Sequence, residues 1–162
     1  MIVRFIGRRS RVSAFLYGVI FMFMLSTEAC FDSAHFLSGY HGKCSNIHGH
    51  RWKIIVEIMR STLDKDGQTA SMVTDFGDLK RDLKHLADEF DHCLIIERGT
   101  LKQNTLDALY DENFNIKEVA FRPTAEEFAR YFYFRMKDKG YLVKKLTVYE
   151  TPNNCAAYTE EI

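Results

Sequence analysis

The chain has 162 residues, which fits one domain of ordinary size. Lysine plus arginine equals aspartate plus glutamate, at 22 each, so the charge gives no reason to expect nucleic acid or a membrane surface as a partner. Apolar residues make up 46% of the chain, which is enough for a core without disulfides, and the four cysteines form no CxxC pair.

The first 29 residues combine arginines with an apolar run that resembles a secretory signal. The run covers only residues 14–25, whereas a bilayer span takes about 20 residues. Glu28 stands in the potential cleavage region, and cleavage there would leave His35 close to the new terminus. We therefore favour an extension, residues 1–15, predicted to be disordered, before a single domain over residues 16–162. The signal peptide is the alternative, and Met22 or Met24 could be the true start.

Two strands are predicted in the first third of the chain. FMFMLSTEACF, residues 21–31, fits the first, and HRWKIIVEIM, residues 50–59, fits the second. In the second, apolar residues and one histidine alternate on one face: His50, Trp52, Ile54, Val56 and Ile58. DKDG, residues 64–67, is typical of a turn.

From Asp75 onward the apolar period changes from two to that of a helix. The stripe consists of Phe76, Leu79, Leu83, Leu86 and Phe90. A second helix begins at PTAEEF, where Thr124 and Glu127 fit a capping box, and Gly140 fits its end. Residues 99–115 are ambiguous, with a short helix around Leu106 and Leu109 as one interpretation, and a strand follows near residues 116–121.

The chain ends with a strand, a turn and a short strand, predicted over residues 141–150, 151–154 and 155–161. The order of elements is strands, helix, a variable stretch, helix and strands. This order predicts an α+β fold with helices on one face of a largely antiparallel sheet.

The stretch CSNIHGH, residues 44–50, suggests a metal site. His48 and His50 are two apart, so on a strand both imidazoles point to the same face, and His35 is the candidate third ligand. Three histidines leave an open position, as in catalytic zinc sites, whereas Cys44 as a fourth ligand would make a closed structural site. The residues alone leave both interpretations open, together with unrelated surface histidines.

Two further patches carry chemistry. Asp91 and His92 follow the first helix, where the carboxylate and the imidazole could relay a proton or form a surface pair. Glu150 ends an apolar strand, so its carboxylate is solvated or binds complementary donors, such as an amino-pyrimidinone edge.

Five segments in the same order resemble the 6-pyruvoyl-tetrahydropterin synthase and 6-carboxy-tetrahydropterin synthase family. They are FDSAHFLSGYHGKCSNIHGHRW, VTDFGDLK, FDHCLI, PTAEEFA and VYETPNNCAAY. The resemblance implies the tunnelling fold, a four-stranded antiparallel sheet with two helices on one face. It also implies a cytoplasmic homohexamer built as a dimer of trimers, with active sites between subunits.

The resemblance also implies a role for each matching residue. Zinc ligands would be His35, His48 and His50, catalytic residues would be Cys44, Asp91 and His92, and substrate-binding residues would be Glu150, Thr124 and Glu126. Glu150 would anchor the pterin ring, and Thr124 and Glu126 would lie near its pocket. The long apolar and basic N-terminus departs from the family pattern but touches no motif.

The spacing Cys-x-x-x-His-Gly-His resembles the bacterial 6-carboxy branch, because the animal pyruvoyl enzymes tend to have two more residues between the cysteine and the histidine. The implied reaction converts 7,8-dihydroneopterin triphosphate to 6-carboxy-5,6,7,8-tetrahydropterin, acetaldehyde and triphosphate, for 7-deazaguanine (queuosine) synthesis. The alternative within the family stops after triphosphate elimination, at 6-pyruvoyl-tetrahydropterin. From another class, the alternative is a non-catalytic, zinc-stabilised interaction domain.

Overall fold

The structure is a computed structural model that describes residues 22–160. Its elements in chain order are β1 Phe23–His35, β2 His48–Arg60, α1 Phe76–Asp88, β3 Cys93–Glu97, α2 Gln103–Asp111, β4 Ile116–Val119, α3 Ala125–Asp138, β5 Val143–Thr151 and β6 Asn154–Tyr158. The predicted extension and the signal alternative fall largely outside the described residues. Within residues 22–160, none of the helices has the length and apolar character that a bilayer crossing requires.

All six strands form one sheet in the order β4-β3-β1-β2-β5-β6. β1, β2, β5 and β6 are antiparallel neighbours, whereas β3 pairs in parallel with the last residues of β1, and β4 pairs in parallel with β3. The predicted sheet of four antiparallel strands with two helices is therefore wrong in detail, because the sheet is mixed and a third helix is present. β3, β4 and α2 are short, and α2 buries no residue, so they carry little periodicity in the sequence.

The core lies between the sheet and the helices α1 and α3, and the predicted face of β2 is confirmed. Trp52, Ile54 and Val56 are fully buried and Ile58 nearly so. Phe31 of β1 stacks on Trp52 with ring centroids 5.9 Å apart and an interplanar angle of 7°. This aromatic layer continues under the helices and ends at the histidines of β1 and β2.

The helices also follow the predicted pattern, with one exception. The buried part of the first stripe is Leu79, Leu83, Leu86 and Phe90. Phe76, predicted to belong to it, is 61% exposed, because it is the first residue of α1 and borders a surface cavity beside Met72. Gly140, with φ +91°, follows the end of α3 as predicted.

Thr124 fixes the start of α3 next to the candidate site. Its hydroxyl accepts a hydrogen bond from the N–H of Glu127 at 3.4 Å, which is one half of the predicted capping box. The Glu127 carboxylate pairs with Arg130 instead of completing the box. Pro123, just before this cap, is thereby held where its carbonyl reaches His35.

Replacing Phe128 of α3 with alanine is expected to lower the free energy of unfolding by about 3–5 kcal/mol. The ring is fully buried against the rings of Phe31, Trp52 and Phe90, so truncation leaves a cavity in the aromatic layer. Urea unfolding at fixed protein concentration measures the loss. Phe76→Ala, which removes an exposed ring of the same size, is the control, and equal losses for both variants would contradict this packing.

Candidate metal centre and active site

The register of β1 and β2 brings three histidines to one end of the sheet. His35 pairs with His48, and Ser33 pairs with His50. Since paired residues point to the same side, all three imidazoles lie on the face that carries the helices. Their ring centroids are 4.5–5.2 Å apart, and one ligand nitrogen of each lies within 4.8 Å of the others. His35, His48 and His50 therefore form a candidate metal site.

Backbone carbonyls orient two of the rings. His35 Nδ1 lies 2.8 Å from the Pro123 carbonyl oxygen, and His48 Nδ1 lies 2.8 Å from that of Asn46. A carbonyl oxygen only accepts hydrogen bonds, so each Nδ1 carries the proton and each Nε2 keeps a lone pair. Histidines that bind metals commonly donate their second nitrogen in this way. His35 Nε2 is buried and has no hydrogen-bond partner within residues 22–160, so the site fits a metal ion.

Burial also keeps the imidazoles of His35 and His50 neutral. Loss of hydration lowers the pKa of His35 to about 4, although the hydrogen bond to Pro123 opposes the shift, and His48 and His50 act in the same direction as burial. Burial likewise lowers the pKa of His50, against the opposing charge of Glu150. Neutral imidazole is the form that binds zinc, so the site is ready for a metal near neutral pH.

The metal-free protein is expected to lose stability as the pH falls from 6.5 to about 4. Folding lowers the pKa of His35, so the unfolded chain binds the proton first, and stability is full above pH 6.5. From the pKa difference, the loss attributable to His35 is roughly 3 kcal/mol and does not grow at lower pH. Urea unfolding at several pH values measures it. His35→Gln should remove this part of the pH dependence of the free energy of unfolding, whereas the exposed control His85→Gln should keep it. The same pH dependence in both variants would contradict the assignment to His35.

Glu150 lies at the metal site as well as at a neighbouring cavity. Its Oε1 is 3.5 Å from Nε2 of His35 and 3.8 Å from Nε2 of His50. The same residue lines a cavity of about 440 Å³ that also contains Arg51 and Lys53. The residue predicted to bind the pterin is therefore in contact with two of the predicted metal ligands, which the sequence did not indicate.

Cys44 lies in the loop between β1 and β2, in a single helical turn over Lys43–Ser45. The loop is closed by a hydrogen bond of 2.8 Å from the N–H of Leu37 to the carbonyl of Cys44, and Arg122 donates to the carbonyl of Ser38 at 2.9 Å. The half-buried thiol is not part of the histidine cluster in the described part of the chain. This arrangement favours the interpretation in which Cys44 is not a metal ligand.

Asp91 and His92 form an ordered pair beside β1. His92 Nδ1 lies 2.8 Å from Asp91 Oδ2, and the other carboxylate oxygen accepts the N–H of Asp32 at 2.8 Å. That backbone hydrogen bond, followed by the one from His92, lowers the pKa of Asp91. His92 has φ +52°, and its side chain is 81% exposed. The pair is therefore a carboxylate that orients an accessible imidazole.

The Asp91–His92 dyad and the metal site of one chain border different cavities. Asp32 and Ala34 alternate along β1 with the buried Ser33 and His35, and they point away from α1 and α3. They line a largely apolar cavity of about 480 Å³ together with His92. A single described chain thus does not place His92 in the cavity that borders the metal site.

The remaining predicted site residues lie at the start of α3. Thr124 caps the helix, and Glu126 is exposed in its first turn and makes no hydrogen bond within residues 22–160. Sequence reasoning missed the carbonyls of Pro123 and Asn46 and the loop contact of Arg122. Every residue has a backbone carbonyl, so the residue type does not show which one contacts a histidine. The segment PTAEEF did predict the helix start next to the site.

These elements define a pterin synthase fold, and the chain belongs to the 6-pyruvoyl tetrahydropterin synthase family, whose sequence model matches residues 24–161. It is 39% identical over 142 residues to the 6-carboxy-5,6,7,8-tetrahydropterin synthase of Haemophilus influenzae, covering 86% of this chain and 100% of the relative. The protein of that name from Aquifex aeolicus is 34% identical over 136 residues, covering 74% and 77% of the two chains. The structure of 6-pyruvoyl tetrahydropterin synthase from Caenorhabditis elegans has a TM-score of 0.61 at 22% identity, over 88% of this chain and 98% of that one, which shows the shared fold. The family resemblance of the sequence motifs is confirmed.

Proposed function

We propose that this protein is a zinc-dependent lyase that converts 7,8-dihydroneopterin triphosphate and water to 6-carboxy-5,6,7,8-tetrahydropterin, acetaldehyde and triphosphate, for 7-deazaguanine (queuosine) synthesis. The observation that carries the proposal is the cluster of His35, His48 and His50 with the buried, unpartnered Nε2 of His35. The names of the relatives from Haemophilus influenzae and Aquifex aeolicus support the choice of product.

The three histidines would hold Zn²⁺, which supplies a Lewis acid that polarises the side-chain oxygens of the substrate and acidifies the adjacent C–H bond. The carbonyls of Pro123 and Asn46 keep Nε2 of His35 and His48 directed at the site, so the ligands need little rearrangement. The full burial of His35 excludes water from one side of the site.

Cys44 would act as the base that removes the acidified proton, since a thiolate held in a fixed position can accept it. The hydrogen bond between Leu37 and Cys44 closes that loop. On the second face of the substrate, His92 would exchange protons through its exposed Nε2. Asp91 holds the proton on Nδ1, because its carboxylate is itself fixed by the N–H of Asp32 and stays ionised.

Glu150 would bind the amino-pyrimidinone edge of the pterin from the cavity next to the metal site, because a carboxylate accepts two parallel hydrogen bonds. Thr124 and Glu126 would complete the pterin pocket from the start of α3, where Thr124 already fixes the helix beside Pro123 and His35.

The active form would be a homohexamer, a dimer of trimers, in which neighbouring chains complete each site. Two observations support this assembly. The dyad and the histidine cluster of one chain border different cavities. In addition, β6 forms one edge of the sheet, and only residues 33–35 of β1 pair with β3, so the earlier part of β1 pairs on one side only. Such edges are suited to pairing with another copy.

The proposed location is the cytoplasm, where thiols stay reduced. All four cysteines lie in the described part of the chain and are free.

The test is triphosphate release from 7,8-dihydroneopterin triphosphate by zinc-loaded protein, by protein stripped with a chelator, and by stripped protein with zinc restored. The proposal expects release that is lost on stripping and restored with zinc. Zinc bound in stoichiometric amount without any release of triphosphate would instead support the non-catalytic, zinc-stabilised domain.

A further inference from the structure

We propose that Glu150 is a displaceable fourth ligand that closes the metal site in the absence of substrate. The inference rests on the proposed function in one respect, namely that His35, His48 and His50 hold a metal ion. It adds a second partner for Glu150, because the same carboxylate would bind the metal first and the substrate afterwards.

The position of the carboxylate fits a ligand. In a tetrahedral zinc site with bonds of about 2.0–2.1 Å, neighbouring ligand atoms lie about 3.4 Å apart. Glu150 Oε1 lies 3.5 Å from Nε2 of His35 and 3.8 Å from Nε2 of His50. Across residues 22–160, no other carboxylate comes within 4.0 Å of a nitrogen of either histidine.

The chemistry of the contact requires a cation. His35 donates its Nδ1 proton to the Pro123 carbonyl, so its Nε2 presents a lone pair to the lone pairs of the Glu150 oxygen. Two acceptors at 3.5 Å repel each other unless a proton or a metal lies between them. The cluster of His35, His48 and His50 provides the place for a metal ion that would bind both atoms.

A regular strand supplies the carboxylate, so its position does not depend on a loop. Val148 of β5 pairs with Ile54 of β2, and both are fully buried on the helix-bearing face. Glu150 is two residues further along β5 and points to the same side, toward His50. Cys44, the fourth ligand of the closed alternative, makes no comparable contact with a histidine in the described residues.

The same side chain is free to leave the metal. Glu150 is 29% exposed, makes no hydrogen bond within residues 22–160, and borders the cavity of about 440 Å³. A substrate oxygen that takes the fourth position would release the carboxylate into this cavity, where it can accept hydrogen bonds from the substrate. Substrate binding would thus open the site and anchor the substrate in one exchange.

Cobalt-substituted protein tests the inference without relying on turnover, because the visible d–d bands of Co²⁺ depend on the identity and number of its ligands. Three chains are compared by visible absorption and by the zinc dissociation constant: the parent, Glu150→Gln and Glu57→Gln. Glu57 is the matched control, since its carboxylate is 24% exposed on the neighbouring strand β2 and pairs with Lys145.

The inference expects cobalt bands that differ in position or intensity from those of the parent and a zinc dissociation constant raised about tenfold or more for Glu150→Gln, with the parent and Glu57→Gln alike. Circular dichroism establishes that Glu150→Gln is folded. If Glu150→Gln binds cobalt with the bands and the zinc affinity of the parent, the inference is wrong and the three-histidine site remains. If the parent binds neither cobalt nor zinc, the inference fails together with the proposed metal site.

Discussion

Replacing Cys44 with alanine is expected to lower triphosphate release by about 10²- to 10⁴-fold, the range typical of removing a general base. The zinc content and the fold should stay those of the parent. The physical reason is that the three imidazoles would hold the ion, whereas the thiol lies outside their cluster, in a loop closed by the hydrogen bond from the N–H of Leu37 to the Cys44 carbonyl. Metal analysis and the release assay are run side by side on both proteins.

Cys155→Ala is the matched control, because Cys155 is an exposed cysteine on β6, away from the β1–β2 loop. It should keep both zinc and activity. A Cys44→Ala protein that loses its zinc and its fold would show that Cys44 is a ligand and that the site is closed. That result would restore the structural interpretation of CSNIHGH.

Mixed oligomers of two inactive variants are expected to regain activity, because the proposed active site draws on two chains. Cys44→Ala keeps Asp91 and His92, and His92→Ala keeps Cys44. If each site joins the thiol of one chain to the dyad of its neighbour, random mixing restores about one site in four. The expectation follows from the separate cavities that the metal site and His92 border within one chain.

The experiment unfolds and refolds the two variants together and measures triphosphate release against each variant treated alone. The control mixes Cys44→Ala with the double variant Cys44→Ala/His92→Ala, which supplies no thiol and should stay inactive. No recovery in the first mixture, at an oligomeric size equal to that of the parent, would contradict a site shared between chains.

The parts of the fold that are regular and buried could be predicted from the sequence. The alternation along β2 placed Trp52, Ile54 and Val56 on the core face, and the same alternation placed His48 and His50 side by side. β3 was not predicted, because it has five residues and pairs in parallel with the end of β1, which is distant in sequence. β4 confirms the strand predicted near residues 116–121, but its parallel pairing with β3 was not predicted. Their position is decided by tertiary contacts.

The candidate site, too, could be predicted only in part from the sequence. Residue types and spacing were enough to propose His35 as the third histidine, and the register of β1 and β2 brings it opposite His48. The contact between Glu150 and His35 could not be predicted, because β5 and β1 are not neighbours in the sheet and meet only through the strand between them. The orientation of the His92 side chain depends on its positive φ and on the hydrogen bond from its N–H to the carbonyl of Asp32. Neither feature can be predicted from the residue type.

The most direct test of the proposed function is the mass of the pterin formed by zinc-loaded protein from 7,8-dihydroneopterin triphosphate, measured by liquid chromatography with mass spectrometry. The account predicts 6-carboxy-5,6,7,8-tetrahydropterin, with acetaldehyde and triphosphate released in equal amounts. Accumulation of 6-pyruvoyl-tetrahydropterin without acetaldehyde would contradict the proposed reaction and assign the chain to the pyruvoyl branch.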